Sequence, residues 1–449
     1  MIALLAIPSF SAMRSANAAA AGCPDGLWTM MTKELTSACK GDLAGKTVTM
    51  TGPFTDADAV KFNASVKDFQ DWTGITIQYT GSKEFEAAIR TAVDGNAAPD
   101  VVDFPQPGLL KDFAKQGKVI DLSTVLNQDW IKKNYAQSWI DMSMMQGKDK
   151  AIEGGIWARF NGKSLVWYPK KAWDAAGYKA PQTWDDMIAL SKQIVKDGAT
   201  PWCIGIESGA ATGWAATDWI EDIMLRTTSL DNYDNWATPA DPTKRVKFTD
   251  PVVKNAVQVM SDLWFADGFV NGGRKSIAGT SFGDSVKPMF DNPPKCYMHR
   301  QGNFITSFFP DGLKPGVDYD FFYLPPIDAK YGKPFLVAGD IYAMFNDRPE
   351  VRAVMDFFTR GVSLKAWLAT GGALAPQNDA SLDWYGSPVE AKIAKLVTDA
   401  SAVRFDGSDQ MPGAVGAGSF WKGMTDYVSG TTDLDTTLKN IDAAWPAAK

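Results

Sequence analysis

The sequence predicts an α/β protein made of more than one α/β unit. Three observations predict it. Strand-like and helix-like stretches alternate between residues 46 and 108 in the order of a parallel sheet. A second alternation begins beyond a crossing at residues 154–168, where Gly154 and Gly155 give the backbone freedom. The chain has 449 residues, 45% of them hydrophobic, which suggests two or more domain-sized units with sizeable cores.

The elements follow in order. Lys46–Thr51, "KTVTMT", alternates as a strand does, and Gly52-Pro53-Phe54-Thr55 breaks it. A helix follows, with Ala59, Phe62, Val66 and Phe69 at helical spacing. "GITIQYTG" (Gly74–Gly81) is the next strand, and the helix after it aligns Phe85, Ile89 and Val93. "PDVVDFPQPG" (Pro99–Gly108) is a strand running into a loop. In a parallel sheet ligands meet the carboxyl ends of the strands. That places Gly52–Thr55, Gly81–Lys83 and Phe104–Gln106 on one rim. Ser164–Tyr168 reads as a strand, and a helix starts at Trp184 with Thr183 as its cap and Asp186 as the capping-box partner. "TPWCIGIES" is another strand, and "SGAATGW" (Ser208–Trp214) is a polar loop that leads into a helix. "KPFLVAGDIYAMF" (Lys333–Phe345) is strand-like, and the chain from Arg348 is mostly helical.

Ile2–Met13 is apolar but too short to span a bilayer, and Ala16-Asn17-Ala18 has the small-x-small form of a signal-peptidase site. Residues 1–22 are therefore expected to be a signal peptide, although no basic residue precedes the apolar run and Arg14 follows it. Ala20-Ala21-Gly22-Cys23 half-matches a lipoprotein box but lacks the leucine, so secretion to the periplasm is preferred to lipid anchoring. The four cysteines, Cys23, Cys39, Cys203 and Cys296, allow three pairings. Cys23–Cys39 would be a local staple; Cys203–Cys296 follows if their strand-like segments are neighbours; four buried thiols are the alternative. No CxxC or Cys/His spacing suggests a metal, and no cofactor motif stands out. The net charge of −7, without a basic stripe, argues against nucleic acid and anionic membranes as partners.

Catalytic signatures are sparse. His299 is the single histidine, which excludes an HExxH metallopeptidase. Gly279–Gly283 matches GxSxG but lacks the strand before and the helix after it, so it reads as a surface loop. Gly45-Lys46-Thr47 precedes a strand instead of following one and is no P-loop. Glu153, Glu207, Asp340 and Asp406 lie near strand ends or loops and keep a glycoside-cleaving enzyme open as the alternative function. A site for a polar ring has more support. Trp157 and Arg159 lie at the crossing, Trp214 starts a helix after a glycine loop, Arg300–Phe304 follows a strand, and Asp340 interrupts an apolar strand. Flat apolar faces with fixed donors and acceptors suit a hydroxyl-rich solute.

The stretch "LVWYPKKAWDAAGYKAPQTWDDM" (Leu165–Met187) resembles a signature of the carbohydrate-binding extracellular solute-binding proteins of bacterial ABC importers, the family of the maltose-binding protein. Pro169 stands where that signature usually has asparagine. "APDVVDFPQPG", the loop before Trp214, "KCYMHRQGNF" and "TGGALAPQ" follow in family order, so the resemblance spans residues 40–445. "CPDGLWTMMTKELTSACKG" (Cys23–Gly41) is similar to the rhizobial α-glucoside-binding branch.

The resemblance implies two α/β domains with a ligand cleft between them and hinge strands crossing, the type II binding-protein fold. Residues 40–157 plus 339–375 would form the first domain, and 158–333 plus 376–449 the second. The implied ligand-binding residues are Thr55, Ser82, Gln106, Trp157, Arg159, Thr212, Gly213, Trp214, Gln301, Asn303, Asp340 and Gly372. Trp214 would stack on a pyranose, and Arg159 and Asp340 would bind hydroxyls. The implied function is capture of an α-glucoside disaccharide (trehalose, maltose or sucrose) by a monomer, by cleft closure, and delivery to membrane permease subunits.

Overall fold

The computed structural model describes residues 21–24 and 29–447. The expected signal peptide therefore lies outside the described residues, save for Ala21 and Gly22. Eleven strands are described: β1 (Thr47–Gly52), β2 (Thr76–Gly81), β3 (Val101–Phe104), β4 (Met144–Gln146), β5 (Ala151–Glu153), β6 (Ile156–Gly162), β7 (Leu165–Tyr168), β8 (His299–Arg300), β9 (Asp320–Tyr323), β10 (Pro334–Met344) and β11 (Ala402–Phe405).

The first sheet runs β11-β10-β3-β1-β2, with β6 also paired to β10. β1 lies parallel to β2 and β3, as the β-α-β-α-β reading requires. The helix Asp56–Thr73 connects β1 to β2 and buries Phe62, Val66 and Phe69; Phe85–Asp94 connects β2 to β3 and buries Phe85, Ile89 and Val93. β10 is the spine. All eleven of its residues are buried, which explains the apolar run that Asp340 alone interrupts. It pairs with β11 through Pro334–Val337, with β3 through Ile341–Met344, and with β6 through Val337–Tyr342. A bulge between Asp340 and Ile341 shifts the register against β6, the kind of irregularity that re-aims a side chain.

The second sheet is antiparallel, in the order β8-β7-β9. The period of two is visible in β7: Leu165 and Trp167 join one hydrophobic cluster, and Val166 joins the other. The first cluster surrounds the sheet of β1–β3 and β10; the second gathers residues such as Trp173, Ile220, Trp264, Met298 and Met424. The helix Pro388–Asp399 and β11 contribute Val389, Ile393 and Phe405 to the first cluster, while Met411, Val415, Phe420 and Met424 belong to the second. The two clusters are the cores of a first and a second lobe.

The helix at Trp184–Lys196 has the expected capping box: the Asp186 N–H donates to Thr183 Oγ1 at 3.1 Å and the Thr183 N–H to Asp186 Oδ2 at 3.0 Å. "TPWCIGIES" departs from expectation. Trp202 makes only isolated bridges, to Val270 and Met298, and no regular strand forms. Pro201 brings no N–H to a ladder, and the Ile206 and Glu207 N–H groups are spent on Ile277 and Thr280. The two segments are neighbours nonetheless, and Cys203–Cys296 is a disulfide, as is Cys23–Cys39. The first pair closes a loop of 93 residues, worth roughly 4–5 kcal/mol in the chain-entropy model. Among the described residues no helix is long and apolar enough to cross a membrane.

Candidate functional site

The carboxyl ends of β1, β2 and β3 open onto a cavity shared by both lobes. Its interior has about 160 Å³ open to the centres of water-sized molecules, and about 930 Å³ of empty space when its opening to solvent is included. The first lobe lines it with Phe54, Thr55, Asp58, Ser82, Glu86 and Gln106; the crossing strands β6 and β10 add Arg159, Asn161 and Asp340. The second lobe faces these with Trp214, Asp218, Phe282, Asp406, Asp409 and Trp421.

Arg159 and Asp340 are cross-strand partners on β6 and β10, and Arg159 Nε donates to Asp340 Oδ2 at 2.6 Å. The guanidinium lies between the rings of Phe54 and Trp367, 4.3 and 4.1 Å from their centroids. Its Nη2 is 3.9 Å from Asp58 Oδ2. Burial works against the Arg159 charge, but Asp340 and Asp58 outweigh it and hold the group cationic. Burial raises the Asp58 carboxyl, and Arg159 and Lys61 only partly offset that.

Lys163, just beyond β6, is the counterpart in the second lobe. Its ammonium donates to Asp218 Oδ1 at 2.8 Å and to Asp406 Oδ2 at 2.6 Å, and lies 5.3 Å above the Trp214 ring. Burial opposes the charge, but these two carboxylates raise the lysine well above its usual range. Asp218, Glu221 and Asp406 lie close enough together to hold an ion, but Lys163 supplies the cation the cluster needs. Burial, with Asp406 and Asp218 next, pushes the Glu221 carboxyl far up, while Lys163 helps hold Asp406 low. Trp214 is set by the left-handed Gly213 (φ 112°), where a Cβ would lie 2.1 Å from the Trp421 carbonyl oxygen. Its ring meets Phe282 edge-on, with centroids 5.1 Å apart.

Of the residues expected from resemblance, Thr55, Ser82, Gln106, Arg159, Trp214 and Asp340 line the cavity. Six do not. Trp157 is core: it is 1% exposed and packs on Trp139 and Phe405, because the register shift between the Asp340–Arg159 and Ile341–Trp157 pairs takes it off the face that Arg159 and Asn161 share. The Thr212 hydroxyl staples its own loop, donating to the Gly209 carbonyl and accepting from the Ser208 N–H. Gly213 contributes backbone geometry only. Gln301 Oε1 accepts from the Gly302 N–H, and Asn303 Oδ1 from the Gly162 N–H, so both brace the crossing. Gly372 packs near Ser307 and Lys61, outside the cavity. Glu153 and Glu207 also lie outside it, accepting from Gln128 and the Gly209 N–H. Phe282, inside the GxSxG match, lines the cavity as an aromatic wall.

Sequence reasoning missed Asp58, Glu86, Lys163, Asp218, Asp409 and Trp421 as lining residues. A signal existed for one of them. The helix Trp214–Thr227 spaces Asp218, Asp222 and Arg226 by four, and an acidic stripe on an otherwise apolar helix needs buried cations. Arg300 and Lys163 are those cations.

Residues 55–370 match the model of the family described as bacterial extracellular solute-binding protein. The chain is 41% identical over 406 residues to the osmoprotective compounds-binding protein GgtB of Synechocystis sp., covering 90% of this chain and 94% of that one. It is 40% identical over 417 residues to the alpha-glucosides-binding periplasmic protein AglE of Rhizobium meliloti, covering 91% and 89%. Among solved structures, the bacterial solute receptor AcbH aligns with a TM-score of 0.74 at 18% identity, covering 89% of this chain and 98% of that one. RafE in complex with raffinose aligns at 0.68 and 18%, with the same coverage. With this fold, this shared cavity and these relatives, the chain belongs to the bacterial extracellular solute-binding protein family.

Proposed function

We propose that this chain is the periplasmic substrate-binding protein of an ABC sugar importer. It captures an α-glucoside disaccharide such as trehalose, maltose or sucrose between its lobes, and delivers it as a monomer to a membrane permease. One observation carries the reading. Asp58 Oδ1, Gln106 Oε1, Asn161 Oδ1 and Arg159 Nη1 are buried without a hydrogen-bond partner among the described residues, and all four belong to side chains that line one cavity. An unsatisfied buried polar atom costs about 1–3 kcal/mol, so a cluster of them asks for an occupant. A sugar hydroxyl donates and accepts, and so answers both the three acceptors and the one donor. Trp214 and Phe282 add apolar faces of the kind a pyranose ring covers. The binding named for AglE supports the α-glucoside class.

Ligand contacts from both lobes form only when the cleft closes, so binding shifts a hinge equilibrium toward the closed form. Two of the carboxylates reaching the cavity, Asp340 and Asp406, are spent on Arg159 and Lys163, which favours capture over turnover. The test is a thermal-shift panel on the mature protein with α-glucosides, other disaccharides, monosaccharides, polyols and sugar acids. A ligand at 100 times its Kd stabilises by about 2.7 kcal/mol. A shift with an α-glucoside, recovered intact, is expected. A flat panel refutes the assignment, and cleaved sugar promotes the glycoside-active enzyme.

A further inference from the structure

Four of the cavity's six acids sit against cations: Asp58 and Asp340 beside Arg159, Asp218 and Asp406 on Lys163. Two do not. Glu86, on the helix Phe85–Asp94 of the first lobe, is 7% exposed; Asp409, on the turn Gly407–Gln410 of the second, is 6% exposed. Both line the cavity, and neither forms an ion pair among the described residues. Both lie near a point where the lobes touch. Gly108 of the first lobe packs directly on the Asp409 and Met411 carbonyls of the second. Beside Glu86 lies Gln106, 5% exposed, which donates from Nε2 to Glu86 Oε1 at 3.1 Å and leaves its own Oε1 unpartnered among the described residues.

We propose that Glu86 and Asp409 form a cross-lobe carboxyl clasp that takes up a proton when the cleft closes on its solute, so that rising pH releases the solute. The proposal rests on the reading of the cavity as the solute site. The groups facing Glu86 are Glu84 and Arg90 on its own helix and Gln106 beyond β3. Those facing Asp409 are Asp406, Lys163 and Asp218 in its own lobe, and Glu86 across the cleft. Burial is the largest influence on both carboxyls and raises them, Glu86 to about 7. An open cleft returns both to water. The closed form then holds its proton more tightly than the open one, so protons favour closure. That advantage is whole below the ordinary carboxyl range and is lost as pH rises through about 7.

The experiment uses the whole mature protein with trehalose, maltose and sucrose as probes. Calorimetric affinities are measured between pH 5.5 and 8.5 for the native chain, E86Q and D409N. For one proton released near 7, the native Kd rises about tenfold from pH 6 to 8. Each amide variant flattens that dependence. A native affinity constant within twofold over this range overturns the clasp, as does an E86Q profile with the native slope. If none of the three sugars binds any of the proteins, the α-glucoside reading has failed, and small-angle scattering of the ligand-free chains decides the clasp. Expansion between pH 5.5 and 8.5 that E86Q and D409N abolish supports it; identical profiles in all three overturn it.

Discussion

Replacing Gly108 with alanine tests whether the lobes separate in solution. Gly108 sits at the second position of the helix Pro107–Lys115, and its Cα faces the backbone of the other lobe. An added Cβ would lie 1.8 Å from the Met411 carbonyl oxygen and 3.0 Å from that of Asp409. A comfortable carbon–oxygen contact is about 3.3 Å, so the lobes must part by roughly 1.5 Å at this point. Both sides are backbone, and no side chain can swing away. Overpacking of this kind costs about 1–3 kcal/mol. The cost falls on the closed arrangement alone. In the open one, alanine in a helix is preferred to glycine by about 1 kcal/mol. The nearby hydrogen bond from the Gly413 N–H to Asp112 Oδ2, 3.2 Å long, is lost with the contact. Calorimetry on G108A is therefore expected to show a 5- to 150-fold rise in Kd for whichever sugar the panel finds. Its ligand-free Tm is expected to equal or exceed that of the native chain. Native affinity in a folded G108A would refute the argument, because the close contact would then play no part in the bound state. A collapsed ligand-free Tm would refute it differently, by showing that the lobes are locked together in every state.

Three further outcomes follow. W214A, which removes the cavity's exposed indole face, is expected to weaken sugar binding at least tenfold without unfolding the chain; retained affinity in a folded W214A removes Trp214 from the site. K163M leaves Asp406 without its cation and Asp218 with Arg300 alone, which costs about 3–5 kcal/mol and lowers Tm by several degrees; an unchanged Tm contradicts the ion cluster. His299 is buried and pushed down to about 4, so the fold excludes the proton that the unfolded chain accepts near 6.5. Its contribution to stability, on the order of 3 kcal/mol, is present above 6.5 and lost as pH falls toward 4. Its imidazole, the single one in the chain, should show no NMR titration between pH 8 and 5.5, and a midpoint above 6 would refute its burial.

The sheet of the first lobe was legible because its strands and helices follow simple periods. The helices expected from Phe62, Val66 and Phe69, and from Phe85, Ile89 and Val93, bury those side chains. The rim was legible for the same reason, since carboxyl strand ends follow from strand order. Position within a family motif does not show that a register shift on β6 carries Trp157 off the Arg159 face, or that Asn303, at the start of the short helix Asn303–Phe308, accepts from the Gly162 N–H outside the cavity. Lys163 was invisible for a deeper reason. A lone lysine after a strand reads as surface, and only tertiary assembly brings Asp218 and Asp406 to it from 55 and 243 residues away. Glu86 illustrates the same limit, lying next to the Phe85 that its helix period did identify.

The two sides of the cavity differ in a way that bears on how a binding protein works. On the second lobe the polar groups are fixed. Lys163 holds Asp218 and Asp406, Arg300 holds Asp222, and Asp222 also holds Arg226, all fully buried. Asp218 Oδ2 and the Nε and Nη1 of Arg300 lack a hydrogen bond among the described residues, but every charge here has an ionic partner inside the lobe, so the network holds without a solute and can present Trp214 and its carboxylates already oriented. On the first lobe the polar groups are unfinished. Among the described residues Asp58, Gln106 and Arg159 each leave an atom without a hydrogen-bond partner, and Glu86 forms no ion pair. Closing the cleft empty leaves those groups dry and unsatisfied, at roughly 1–3 kcal/mol each. Closing it on a hydroxyl-rich solute satisfies them. The same few atoms thus hold an empty cleft open and a filled one shut, and the rigid lobe supplies orientation while the unfinished lobe supplies the difference in free energy between the two states.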